Sequence, residues 1–436
     1  MSEAADLAPV SESQRTQPAF DLFLIFAAAN VVATTLQTGA VLGARYGGTD
    51  VLVLVVAGAC FGALLVALLA PVGSRSGVPS MIAARAALGY RGAQVVSALL
   101  YLTNFAWIAV NNTIAASVCA LVLGGSDSSR VWAAALGVLA TAVVARGPRA
   151  VGYADRIAVP IMAVAAAMLT YAAFTIDGVS MIDGPKGPSP HELVSGTAGG
   201  DKPSGLSNPP VLWGLDVVIG YQVSWLLMFA DYSRYTRSPR KAATAVFAGL
   251  ALPAWWLMPV GWNLARIAGS DDPGTMLAAA GVGWWTAILV ALATVTTNFV
   301  NIYLSSLAWR TLSHRATGSG TVWTIGLIGT ALGLISSGWL TRFAELMTWI
   351  GSILVPVGGV FLAHFVILRR PVETEALYDA RRLRAFSLAG GTAWAVGFGV
   401  YKMAAHFGAT LPALATSIVV YLLLHRIHTV ETSVKP

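Results

Sequence analysis

An all-α polytopic membrane protein of about 12 transmembrane helices is the fold class that the sequence predicts, and three observations predict it. Charged residues make up only 11% of the 436 positions and hydrophobic residues 56%, against roughly 25% charged in soluble domains. So few charges cannot cover a water-exposed surface of this size. The apolar runs mostly approach or exceed the ~20 residues a helix needs to cross a bilayer, and they are far longer than the ~9–11-residue strands of a membrane barrel. A cytosolic enzyme, a nucleic-acid binder and a disordered chain are excluded. The net charge of +7 comes from basic residues dispersed between apolar runs, with no basic patch.

Taken in order, the predicted helices cover 20–44, 50–72, 94–123, 130–146, 157–177, 211–230, 242–265, 277–308, 320–337, 343–368, 386–404 and 410–425. Gly, Pro and charged clusters such as Pro71–Arg75, Arg146–Arg149 and Arg369–Pro371 mark their ends. Residues 1–19 are polar and lack the basic start and short apolar core of a cleavable signal peptide, so they read as a cytoplasmic tail. Residues 178–209 are rich in Gly, Pro and Ser without a long apolar run and read as an external linker. That linker divides the chain into a first five-helix unit, 20–177, and a second, 210–368, followed by two helices and a tail in 369–436. Cys60 and Cys119 both lie in apolar runs, which implies no disulfide framework. Of the 27 Lys and Arg residues, 20 fall on one set of alternating connections and 7 on the other. This bias puts both termini in the cytoplasm of a multi-pass protein of the cell (plasma or inner) membrane, with the lipid bilayer as its partner and no obligate protein partner evident.

Polar groups at membrane depth are costly unless they find partners, so their clusters carry the information. Helix one has Asn30, Thr34, Thr35, Gln37 and Thr38. Helix three has Asn104, Trp107, Asn111, Asn112 and Thr113. Helix six has Asp216, Tyr221, Gln222, Ser224 and Trp225, and helix eight has Thr294, Thr296, Thr297, Asn298 and Asn301. Interhelical hydrogen bonding is the ordinary role of any one such group. Together, amides that donate and accept, hydroxyls and aromatic faces suit a neutral planar heterocycle. The adjacent hydroxyls of Thr296 and Thr297 offer two hard oxygens to a small cation, whose remaining ligands would have to be backbone carbonyls.

The other candidates carry less. Asp216 and Glu345 fall near the predicted outer face, where solvated positions are expected. Asp231 reads as an anchor at a cytoplasmic helix end. His364 and His406 read as structural, and Trp255, Trp256, Trp262, Trp284 and Trp285 as interfacial belts. Catalytic spacings are absent from the sequence. His191-Glu192 is not followed by a His at metalloprotease spacing, Asp271-Asp272 precedes Pro-Gly, and there is no P-loop. The chain therefore reads as a non-enzyme without a cofactor.

The run Thr296-Thr297-Asn298-Phe299-Val300-Asn301-Ile302-Tyr303 resembles helix eight of the nucleobase:cation symporter-1 family, in its cytosine and purine permease branch. Leu22-Phe23 through Thr38-Gly39 and Leu42-Gly43 is similar to that family's first helix, Thr103-Asn104-Phe105-Ala106-Trp107 to its third, and Ala230-Asp231-Tyr232-Ser233-Arg234-Tyr235 to the end of its sixth. The resemblance implies a leucine-transporter-type fold of two inverted five-helix repeats plus two helices, with helices one and six interrupted at the midplane. Nothing in 28–33 marks such a break by Gly or Pro. The resemblance further implies that Trp107 stacks on a nucleobase, with Asn104 as its amide partner, Asn111 as a second candidate, and Tyr221, Gln222 and Ser224 facing the solute from helix six. Asn298 and Asn301 are both candidates on helix eight, where one of them can point at the solute. A Na⁺ site would use the Thr296 and Thr297 hydroxyls with main-chain carbonyls of Ala293, Ala28 and Val31. The implied activity is cation symport of cytosine, a purine or a related neutral heterocycle. The alternatives are H⁺ coupling, another heterocycle (allantoin, a hydantoin, a pyrimidine or pyridine vitamin precursor) and, in a different class, a channel or receptor.

Overall fold

In a computed structural model the described residues are 7–43, 45–123, 128–175, 212–281, 284–312, 319–335, 338–370, 372–406 and 408–433. The linker expected at 178–209 lies outside them. Among the described residues the regular elements are all helical. The first span is split into α1, Ala19–Asn30, and α2, Ala33–Gly43, bent by 52°. Neither Gly nor Pro causes this break. The Asn30 side chain donates to the Phe26 carbonyl at 2.9 Å, and β-branched Val31 and Val32 follow. Asn competes with the helix ladder for backbone groups and Val restricts its own rotamers, so both weaken helix continuation here.

The next helices are α3, Gly48–Ser76, α4, Ser80–Leu88, α5, Tyr90–Leu123, α6, Ser129–Ala145, and α7, Pro148–Thr175. A left-handed Gly77 ends α3, a common helix C-terminal cap. The sixth span begins as α8, Trp213–Val223, and then leaves the α-helix for turns and two three-residue 3-10 pieces, Leu226–Met228 and Ser233–Tyr235. Next come α9, Pro239–Ala268, α10, Pro273–Ala279, α11, Trp284–Leu312, α12, Ser319–Ile335, and α13, Gly338–Thr341. The eighth span thus starts later than the expected residue 277, because Asp272 caps a separate short helix by accepting from Thr275 N. The chain closes with α14, Phe343–Phe361, continued by a π-helical turn over Leu362–Ile367, then α15, Thr374–Tyr378, α16, Leu388–Met403, and α17, Thr410–Ser433.

Packing sorts these helices into two groups. The helices α1, α2, α3, α8 and α9 pack on one another, and α5, α6, α11 and α12 form a second set. In chain order the first set is spans one, two, six and seven, and the second is spans three, four, eight and nine. Where α2 crosses α9 the backbones touch: a Cβ on Gly39 would lie 1.8 Å from the Met258 carbonyl oxygen, and one on Gly261 would lie 2.0 Å from that of Leu36. Small residues permit this approach in a medium that gives helices little hydrophobic reason to associate.

Two expectations for polar and aromatic residues need correction. Asp216 is buried rather than solvated; its carboxylate accepts from Ala409 N at 2.8 Å and Thr410 N at 3.0 Å. It therefore caps α17 and ties the last helices to α8. Trp262 is a core residue, not an interfacial one; it is 1% exposed and donates from Nε1 to the Tyr46 carbonyl at 3.1 Å. His364 has a buried structural bond, with Nδ1 2.8 Å from the Tyr421 hydroxyl. The described part of the N-terminal segment is tied down as well, Val10 N donating to Gly77 O and Gln17 N to Tyr235 O.

Candidate solute cavity at the helix breaks

Between the two groups lies a cavity of about 720 Å³. Leu24, Ile25, Ala28 and Ala29 of α1 line one wall with Thr34 of α2. Tyr221, Ser224, Trp225, Met228 and Tyr232 come from the sixth span, Asn104 and Trp107 from α5, Pro160 and Met162 from α7, and Thr296, Thr297, Phe299, Val300, Asn301 and Tyr303 from α11. The cavity thus sits where both interrupted spans leave the α-helix. It extends along the α1 side of the break, toward the face that carries most of the arginines. Among the described lining residues none is Asp, Glu, His, Lys or Arg. A charged solute would have no counter-charge there, whereas a neutral ring with a few polar edges meets aromatic faces, amides and hydroxyls.

Trp107 is 8% exposed and its ring lies edge-to-face on Tyr221, with centroids 5.9 Å apart and planes at 80°. Phe343 supports it from another side at 6.3 Å and 71°. Asn104 is 1% exposed, and its Nδ2 has no hydrogen-bond partner. A buried amide nitrogen without an acceptor is a cost unless something supplies one, and here it borders the cavity. The Ser224 hydroxyl is committed to the Tyr221 carbonyl at 2.7 Å.

Three of the candidate solute contacts are elsewhere. Gln222 is fully buried but absent from the lining; its Nε2 donates to the Leu250 carbonyl at 3.0 Å and its stem packs where a Cβ on Gly62 would sit. It joins α8 to α9 and α3. Asn111 and Asn298 are bonded to each other, Asn111 Nδ2 donating to Asn298 Oδ1 at 3.1 Å, while Asn298 Nδ2 donates to Asn112 Oδ1 at 2.8 Å. Asn112 Nδ2 continues the chain to Thr330 Oγ1 at 3.4 Å. This buried ladder ties α5, α11 and α12 together. Of the two helix-eight amides, Asn301 is the one at the cavity.

For the candidate cation ligands, Thr296, Thr297 and Ala28 all line the cavity, whereas Val31 does not; the Ala293 side chain lies outside the described residues. The donor set that remains is neutral oxygen, and no group of three or more His, Cys, Asp or Glu able to hold a metal occurs among the described residues. Such a set fits a monovalent cation better than a divalent one, which wants carboxylates or imidazoles.

Several lining residues escaped the sequence reading. Leu24 and Ile25 precede Ala28 by four and three residues, and Phe299, Val300 and Tyr303 follow Thr296 at helical spacing. Extending the period from the chosen residues would have found them. Pro160 and Met162 had no signal, because the fifth span carries no polar cluster.

The chain is similar to proteins that are already described. A model for the family of permeases for cytosine/purines, uracil, thiamine and allantoin matches residues 9–422. The cytosine permease of Escherichia coli O157:H7 is 24% identical over 369 residues, 84% of this chain and 81% of that protein. The cytosine permease of Escherichia coli strain K12 matches over the same shares. Among solved structures, Mhp1, a nucleobase-cation-symport-1 family transporter, in a closed conformation with bromovinylhydantoin bound, superposes with a TM-score of 0.76 at 17% identity, covering 97% of this chain and 94% of that one. Its inward-facing conformation gives a TM-score of 0.78 at 17% identity, covering 98% and 92%. A substrate-bound, outward-open Na⁺-coupled sialic acid symporter gives 0.60 at 12% identity, covering 96% and 91%. These likenesses show the fold, an all-α leucine-transporter-type membrane protein.

Proposed function

The chain belongs to the family of permeases for cytosine/purines, uracil, thiamine and allantoin, a membrane transporter of nucleobase-like solutes and not an enzyme, and from that premise we infer that it imports a neutral nucleobase by cation symport with alternating access. The observation that carries this reading is the uncharged cavity between the helix groups, with Trp107 on one wall and the unpartnered Asn104 Nδ2 beside it. In the mechanism, the indole face stacks on the solute ring, the Asn104 amide donates to a ring carbonyl, and Asn301 presents a second amide from α11. The solute enters from outside when the groups separate on that face and leaves when they separate on the other.

Coupling to Na⁺ is the reading favoured by the donor set. Thr296 and Thr297 would hold the ion by their hydroxyls, with Ala28 from α1 opposite and the carbonyls of Val31 and Ala293 as further ligands after a local shift. The ion would supply charge attraction between α1 and α11. Among the described residues the lining has no carboxylate or imidazole to carry a proton instead. The unit boundaries 20–177 and 210–368, the cytoplasmic termini and the plasma-membrane location belong to the same reading.

The test is uptake by proteoliposomes. Inward Na⁺ and pH gradients are imposed separately, with labelled cytosine, uracil, allantoin and a hydantoin as solutes; the hydantoin is included because one structural relative binds one. Accumulation driven by the Na⁺ gradient is expected. Accumulation driven only by the pH gradient would replace Na⁺ with H⁺, and equilibration without accumulation would indicate a channel.

A further inference from the structure

Each interrupted span leaves a backbone carbonyl without its place in the α-helical ladder, and one residue stands at both. On the first span the carbonyl is that of Asn30, and the Thr35 hydroxyl donates to it. On the sixth it is that of Tyr221, which accepts the Ser224 N–H at 3.3 Å and the Ser224 hydroxyl at 2.7 Å. The Tyr221 phenol then reaches back to the first break, 2.7 Å from Thr35 Oγ and 3.4 Å from Thr34 Oγ. Thr35 has a single hydroxyl proton and spends it on Asn30, so the phenol O–H donates to Thr35. The relay runs from Tyr221 O–H to Thr35 O–H to the Asn30 carbonyl. The same ring is 3% exposed and lies edge-to-face on Trp107.

We propose that Tyr221 is a positioning residue that sets the geometry of the first span's break and the angle of the Trp107 ring together. The proposal rests on the reading above that Trp107 stacks on the solute. Because the phenol is held at one end and packed at the other, a solute that turns the indole must carry Tyr221 with it or break the relay. Binding at the ring and opening at the break therefore bias one another, and such a linkage acts equally in both directions. The hydroxyl itself is not offered to the solute, which separates Tyr221 from Asn104.

Purified full-length protein in detergent would be compared as wild type, Tyr221→Phe, Thr35→Val, Thr35→Ser, the double variant Tyr221→Phe/Thr35→Val, and Trp107→Ala. Amide hydrogen exchange over residues 31–35, measured without any solute, reads the relay. Tyr221→Phe and Thr35→Val should each speed exchange there by about 5- to 10-fold, the effect of losing one buried hydrogen bond, while Thr35→Ser stays near wild type. Trp107→Ala, which removes no hydrogen bond of the relay, should also speed exchange at the break because the phenol ring loses its support. Wild-type exchange in both relay variants, or no effect of Trp107→Ala, overturns the proposal. Cytosine and hydantoin binding supplies the second arm: the double variant should lose no more affinity than the worse single variant, and additive losses overturn the coupling. If the wild type binds neither probe, the functional reading fails, and the exchange arm still decides whether Tyr221 joins the ring to the break.

Discussion

Asn104 and Asn111 carry the same amide on the same helix, and they do opposite things. Asn104 borders the cavity with its nitrogen unpartnered, whereas Asn111 donates to Asn298 inside a ladder that closes on Thr330. Thr297 and Asn298 on α11 repeat the contrast one residue apart, the first at the cavity and the second in the ladder. The difference teaches that chemistry in the bilayer is assigned by helix face rather than by residue type. A polar group turned toward another helix bonds to that helix and holds the fold, as Asn111, Asn298 and Gln222 do. One turned toward the space between the helix groups borders the cavity, as the Asn104 amide nitrogen does.

The sharpest break of this comparison is Asn298→Leu. It strands the Asn111 amide, removes the donor to Asn112 and takes away the acceptor 3.5 Å from Asn301 Nδ2, so stability should fall by about 2–4 kcal/mol, the cost of leaving buried polar groups unpaired. Thermal unfolding in detergent reads it, and an unchanged midpoint would mean the ladder is not holding α5 to α11. Trp107→Ala comes next, with an expected loss of roughly 10- to 30-fold in solute affinity from lost stacking and apolar contact, and a clearly smaller loss for Trp107→Phe. Equilibrium binding of cytosine or whichever solute is transported checks the order of the two. Thr297→Ala should raise the Na⁺ concentration for half-maximal uptake by about tenfold, in line with the loss of one charge-assisted oxygen contact. An unshifted Na⁺ dependence would move the ion elsewhere.

Smaller effects sharpen the contrast rather than break it. Asn104→Leu should weaken solute binding by about fivefold while leaving the unfolding midpoint at or above that of the wild type, since its nitrogen has no protein partner to lose. Gln222→Met should do the reverse: a stability loss of about 1 kcal/mol from the missing bond to Leu250, with binding close to wild type. If Gln222→Met instead abolished binding and left stability alone, the assignment of faces on α8 would be wrong.

The residues themselves determined the solvent, the helical class, the approximate spans and the polar clusters, because hydrocarbon penalises charge and unpaired backbone groups everywhere along a span, and that penalty is written in composition. They also carried the family motif on helix eight. Tertiary structure decided which member of each cluster faces the cavity. Gln222 and Ser224 are two residues apart, and Asn298 and Asn301 three, yet only one of each pair lines it, because a helix turns about 100° per residue and a single sequence does not show which angle meets the gap. The break at Val31–Val32 was equally silent. It depends on the Asn30 amide folding back on Phe26 and on a carbonyl held by Thr35 and, through it, by Tyr221. Tyr221 is 191 residues beyond Asn30, and hydrogen bonds over such a separation exist only once the helices have packed.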